Sequence, residues 1–390
     1  MRTFLSALVL GFVLTLPASG EVIWSQPRDF YVDPPQGWTF VEDPSPEHFV
    51  MTDAGRTIIL EIFSQDKGDQ KDLNTKVADL KSRLKASGDE QNFTWNDRPA
   101  WLGDLSWEMG LASGPLKVRG WALVAADGDG WVSALAYTPA KGYDKASDVL
   151  VSTLDSLALG ADGRKLPGPL STFFQTTAGK PQTETVALKG LPTPLSVTYN
   201  LDLDEAVQAT MERETRILTA QIGTQVKDQR IIAPGWSRFY RQIYRQFYSS
   251  LGPVAAYWQA QVDQGKVSTA DLPQTVLTWL QKFEYSRKGG LTDLSTPWQT
   301  LKAAAGDCDS RSLVYLALMD QLGVKGILMV SAPLSHGMAA LDLPGQGARF
   351  PWENKGWLVA ELTDTVNLGM IAQNMADPTQ WIGIDLWAKP

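Results

Sequence analysis

The chain has one cysteine and two histidines in 390 residues. A single cysteine excludes a disulfide within the chain, so Cys308 is either an inert core residue or a thiol kept for chemistry. His48 and His336 are far apart in sequence, and neither has a second His or Cys at zinc-ligand spacing. No metal and no cofactor is therefore expected. A basic cluster is also missing: 35 Lys and Arg face 43 Asp and Glu, for a net charge of −8. That balance argues against nucleic acid or an anionic membrane as the partner. The longest apolar stretch, Phe4 to Leu16, falls short of the roughly 20 residues that a membrane span requires. It follows Met1-Arg2 and ends in Ala18-Ser19-Gly20, the layout of a secretory signal peptide over residues 1–20. The expectation is an exported chain, periplasmic or extracellular, without an integral membrane segment, and long enough for two domains.

Residues 21–160 read as the first domain. Short extended runs dominate, beginning with Phe30-Tyr31-Val32 and, after Pro34-Pro35-Gln36-Gly37, Trp38 to Val41. His48 to Thr52 and Thr57 to Phe63 flank Asp53-Ala54-Gly55. Leu116 to Ala125 and Trp131 to Tyr137 flank Asp127-Gly128-Asp129-Gly130, and both pairs predict hairpins. Leu73, Val77, Leu80 and Leu84 repeat at helical spacing, as do Val149, Leu150, Leu154 and Leu157. Asp127-Gly-Asp-Gly lacks the downstream ligands of a calcium loop, and His48 has no partner for a metal. The element order, with its Pro-x-Gly-Trp segment, resembles the PsbP-like, Mog1-type fold. The resemblance implies an antiparallel sheet in an α/β/α sandwich.

Residues 161–185, rich in Gly, Pro, Ser, Thr and Lys, read as a linker to a second domain over 186–390. Asp202 with Glu205 three residues on has the form of a capping box, starting a helix toward Ile222. Trp236, Phe239, Tyr240, Ile243, Tyr244, Phe247, Tyr248 and Leu251 form one helical stripe, with Arg238, Arg241 and Arg245 turned away from it. Such a stripe packs against the unit that carries the cysteine.

In Gly306-Asp307-Cys308-Asp309-Ser310, Asp307 suits an N-cap, which sets Cys308 in the first turn of a helix that stays apolar through Met319 and ends near Gly323. The helix dipole favours a thiolate there, whereas Asp307 and Asp309 oppose it, so a histidine partner is needed. His336 opens a later strand. In the strand Gly356 to Leu362, Trp357, Val359 and Glu361 share a face, and a carboxylate among apolar neighbours needs a polar partner.

Gly306-Asp307-Cys308 at a helix start, Leu322-Gly323-Val324 at its end, His336 opening a strand and Trp357-Leu-Val-Ala-Glu361-Leu-Thr363 together resemble the transglutaminase-like superfamily of papain-like cysteine enzymes, over roughly 272–386. The resemblance implies an α+β domain with helices packed on a small antiparallel sheet. It implies Cys308 as nucleophile, His336 as general base and acid, and Glu361 as the group that orients the imidazole. The family more often has Asp at the last position, which keeps Asp364 in reserve. The Cys308 backbone N–H and either Trp298 or Gln299 would form the oxyanion hole. The implied activity is hydrolysis or transamidation of a peptide or protein amide through a thioester at Cys308. The alternative is an inactive scaffold that binds a peptide or protein partner.

Overall fold

The computed structural model describes residues 22–25, 29–42, 44–45, 47–68, 72–177, 181–222 and 228–387; the expected signal peptide at 1–20 lies outside them. The fold is α+β and divides into two compact units, which meet in sequence at Gly179 and Lys180. Among the described residues no helix is long and apolar enough to cross a membrane.

The first unit opens with β1 (Ile23–Ser25) and β2 (Phe30–Val32), followed by β3 (Thr39–Phe40), β4 (His48–Thr52) and β5 (Ile59–Asp66). After α1 (Leu73–Leu84) come the long strands β6 (Ser87–Trp95), β7 (Arg98–Leu111), β8 (Gly114–Asp127) and β9 (Gly130–Pro139). These make a seven-stranded antiparallel sheet in the order β3-β4-β5-β9-β8-β7-β6. Both expected hairpins are present, one pairing His48 with Phe63 and the other Asp127 with Gly130. The unit ends with α2 (Tyr143–Asp155), β10 (Ala158–Leu159), α3 (Gly160–Gly163) and α4 (Pro169–Thr177).

Strand alternation sends Val132, Ala134 and Ala136 of β9 to a core shared with Leu150 and Leu154 of α2, and Trp131, Leu135 and Tyr137 to an opposite core shared with Val77 of α1. The sheet is thus covered by α2 and α4 on one face and by α1 alone on the other. Asp72 caps α1 by accepting from the Thr75 N–H at 2.9 Å.

The expected linker, 161–185, is for the most part not one. Leu170 of α4 is fully buried in the core of the first unit, and Asp155 accepts from the Ser171 N–H at 2.9 Å and its hydroxyl at 2.6 Å. Turn-forming composition concealed a helix that anchors itself through one buried carboxylate. At the far end, Thr183–Leu188 is already a strand of the second unit.

The second unit begins with the hairpin β11 (Thr183–Leu188) and β12 (Leu195–Asn200), then α5 (Leu201–Ile222), α6 (Gln229–Phe247), α7 (Gly252–Asp263) and α8 (Leu272–Gln281). Asn200, two residues before Asp202, caps α5 by accepting from the Asp202 and Leu203 N–H groups at 2.9 and 3.3 Å. The stripe on α6 is core, as expected. Arg238, however, is not turned to solvent: it is 4% exposed and donates to the buried Glu214 at 2.7 Å. Its charge is satisfied inside the helical layer.

The rest of the chain builds the site. The parallel pair β13 (Glu284–Tyr285) and β14 (Ala305–Gly306) flanks α9 (Pro297–Ala303) and leads into α10 (Cys308–Gln321). Strands β15 (Gly326–Ser331), β16 (His336–Leu341), β17 (Arg349–Trp352), β18 (Lys355–Ala360) and β19 (Ile382–Ile384) form an antiparallel sheet in the order β17-β18-β16-β15-β19. Helix α10 packs on β15 and β16. Leu328, Val330, Ala339, Leu341 and Ala360 face its core, while Met329, Met338, Ala340, Trp357 and Val359 face the other way.

Candidate active site

Asp307 has extended backbone and its Oδ1 accepts from the Ser310 N–H at 2.8 Å, so Cys308 occupies the first turn of α10. The thiol is 3% exposed. The start of α10 lies against the start of β16, where Gly337, the residue after His336, turns its backbone N–H toward the thiol and favours its ionised form. Glycine is needed there: a Cβ on Gly337 would lie 1.8 Å from Asp309 Oδ1.

His336 Nε2 lies 2.7 Å from Glu361 Oε2. The other oxygen of Glu361 accepts from the Thr363 N–H at 2.7 Å and its hydroxyl at 2.6 Å. Burial alone would raise the Glu361 carboxyl, but His336 and Thr363 outweigh it and hold the pKa below the usual value. Trp381 packs edge-on to the imidazole, with ring centroids 6.1 Å apart. Nδ1 is then the ring nitrogen left for a reacting proton. Asp364, the reserve acid, is exposed, and its Oδ1 accepts from the N–H of Thr365 in its own loop. The structure joins His336 to Glu361.

Electrostatics around the sulfur oppose ionisation. Desolvation is the largest cause, followed by Asp309 and then Asp307, and together they push the Cys308 thiol up to about 12. Asp309 is itself pushed up to about 7 by burial and by Asp307, against a hydrogen bond from the Tyr240 hydroxyl. Its Oδ1 is buried without a hydrogen-bond partner. The Tyr240 hydroxyl is raised well above its ordinary value, first by burial and then by Asp309. A thiol in this field keeps its proton at rest, and ionising it would take a neighbouring base.

Both expected oxyanion donors are committed elsewhere. The Trp298 indole N–H donates to Ser250 Oγ at 3.2 Å, and its ring stacks on Tyr199 at 4.7 Å. The Gln299 amide lies between Lys288, whose Nζ donates to its oxygen at 3.1 Å, and the buried Asp204. The aromatic packing and polar network of α9 with α5 and β12 claim these groups, which sequence spacing could not reveal.

Two contributors went unread in the sequence. Arg311, 1% exposed, donates through Nε to Gly306 O at 2.9 Å and through Nη1 to Leu362 O at 3.1 Å. It ties the loop before Cys308 to the residue after Glu361. Its signal was a lone cation opening an apolar helix. Gln281 works similarly from α8, donating to the backbone oxygens of Glu361 and Val366, each at 2.9 Å. Among the described residues no cluster of His, Cys, Asp and Glu is arranged to hold a metal ion.

No family model matches the chain, and no curated protein matches it significantly. Among solved structures it is similar to cyanobacterial PsbP (CyanoP) from Synechocystis sp. PCC 6803, with 14% identity and a TM-score of 0.31, covering 38% of this chain and 98% of that one. It is also similar to the Ran-binding protein Mog1p of Saccharomyces cerevisiae, with 12% identity and a TM-score of 0.27, covering 36% of this chain and 94% of that one. A protein from Bacteroides thetaiotaomicron aligns at 10% identity and a TM-score of 0.27, over 60% of this chain and 78% of its own.

Proposed function

We propose that the second unit is a cysteine-dependent acyl-transfer enzyme, exported with its chain and acting on peptide or protein amides. The observation that carries the reading is the 2.7 Å contact between His336 Nε2 and Glu361, which leaves Nδ1 for the thiol beside Gly337. Cys308 Sγ attacks the carbonyl carbon as its proton passes to His336 Nδ1. The tetrahedral species collapses with loss of the amine, which takes that proton, and leaves a thioester on Cys308. Water then yields the acid, or a second amine yields a new amide, with His336 removing the incoming proton. Glu361 holds the ring and stabilises the imidazolium. The Cys308 backbone N–H and the helix N-terminus are the groups available to a developing oxyanion.

A second reading, a scaffold that binds peptide without turnover, draws on the thiol pushed up to about 12. Iodoacetamide labelling across pH separates the two. For an activated thiol, the wild type labels near neutral pH, and His336→Ala moves labelling to strongly alkaline pH. Incubation with p-nitrophenyl acetate should then leave an acetyl adduct on Cys308 of the wild type and none on His336→Ala. Equally slow labelling of both proteins overturns the enzyme reading.

A further inference from the structure

The first unit holds a cavity of about 390 Å³ where α1 stops short of covering the sheet. One helix of 12 residues packs on β7 and β8, so the adjoining surface of β5 and β9 is left as its floor. The size falls within the range of small-molecule pockets. Its walls include Leu80 and Leu84 of α1, Trp107 of β7 and Leu135 of β9.

The charges around it are unequal in one respect. Asp79 is paired with Arg83 at 3.0 Å, and Glu61 lies 3.0 Å from His48 Nε2. Glu108 sits at the exposed rim. Lys76 also lines the cavity and is 6% exposed; it is attracted by Asp79 and repelled by Arg83, yet its ammonium makes no hydrogen bond or ion pair at contact distance. Ser133, 2% exposed on the floor, has a buried hydroxyl without a partner. A buried cation without an anion is costly and is seldom kept unless something pairs with it.

We propose that this cavity binds a small aliphatic carboxylate, whose anionic head accepts from the Lys76 ammonium and the Ser133 hydroxyl while its chain lies on Leu80, Leu84, Trp107 and Leu135. Burial lowers the Lys76 pKa, against the attraction of Asp79 and with the repulsion of Arg83. A bound carboxylate reverses that penalty, so binding strengthens as pH falls from alkaline toward neutral. The cavity lies within the first unit, and its occupancy is independent of the thiol chemistry.

Calorimetric titration of the full chain with octanoate tests the assignment, with octanol as the neutral analogue. Saturable octanoate binding is expected, with octanol weaker by about tenfold or more, the loss of one charge-assisted hydrogen bond. Lys76→Met, an apolar replacement of similar length, should weaken octanoate by the same factor and leave octanol unchanged. Leu135→Trp, which fills the cavity from the sheet side, should abolish both and serves if Lys76→Met does not fold. No octanoate binding to the wild type, equal binding of octanol, or octanoate binding that is undiminished in either variant overturns the proposal.

Discussion

The two polar sites differ in where their buried groups find partners. At the start of α10 the charged groups are answered mainly from within the chain: Glu361 by His336 and Thr363, Asp307 by Ser310, and Arg311 by two carbonyls. In the cavity beside α1, the Ser133 hydroxyl has no partner, and Lys76 has only the attraction of Asp79 without a hydrogen bond or ion pair. A site that must hold reacting atoms in one geometry gains from a closed network, because each hydrogen bond fixes the next. A site that must accept and release a ligand keeps some bonding capacity open. Near Cys308, Asp309 Oδ1, Arg311 Nη2 and Ser312 Oγ are the buried atoms left without a partner.

The network is most sharply broken at Arg311. Arg311→Ala removes two charge-assisted hydrogen bonds and leaves a void, and is expected to cost about 3 kcal/mol or more in chemical denaturation. Gly337→Ala comes next. Its Cβ would collide with Asp309 Oδ1, so a loss of about 1–3 kcal/mol is expected, together with slower iodoacetamide labelling as Cys308 and His336 are pushed apart. A Gly337→Ala chain that labels at the wild-type rate would separate the thiol from the β16 start.

Asp309→Asn tests the first of these unpartnered atoms. With its folded pKa raised to about 7, Asp309 binds its proton more tightly in the folded chain than in the unfolded one. Its contribution is therefore complete below about pH 4 and is lost as pH rises through 7. The variant should match the wild type near pH 4 and exceed it by up to about 4 kcal/mol at pH 8. Its thiol should also label at lower pH, because one of the two carboxylates that raise Cys308 is gone. Smallest of all, Asp364→Asn should change stability by less than about 0.5 kcal/mol and labelling not at all, since its side chain is exposed. A large labelling effect there would transfer the role of the acid away from Glu361.

Much of this was legible locally. The hairpins at Asp53-Ala54-Gly55 and at Gly128-Asp129 follow from turn chemistry between alternating runs, and the N-cap Asp307 and the end near Gly323 delimit α10. Strand β6 was not legible, because its sequence, Ser-Gly-Asp-Glu-Gln-Asn-Phe-Thr-Trp, is a largely exposed edge whose apolar residues, Phe93 and Trp95, come only at its end. Nor was α4, whose place depends on Asp155 capturing Ser171.

The sequence by itself determined the kinds of group available: one thiol at a helix start, an imidazole at a strand start, and acids at and beyond the end of a later strand. Periodicity and capping act over a few residues, so the chain carries them wherever it goes. Only the tertiary structure decided that Glu361 rather than Asp364 meets His336, that Trp298 and Gln299 serve other partners, and that Lys76 is buried without an ion pair at contact distance. Those outcomes depend on which distant segments compete for the same space and the same hydrogen bonds, and that competition exists only once the chain has closed on itself.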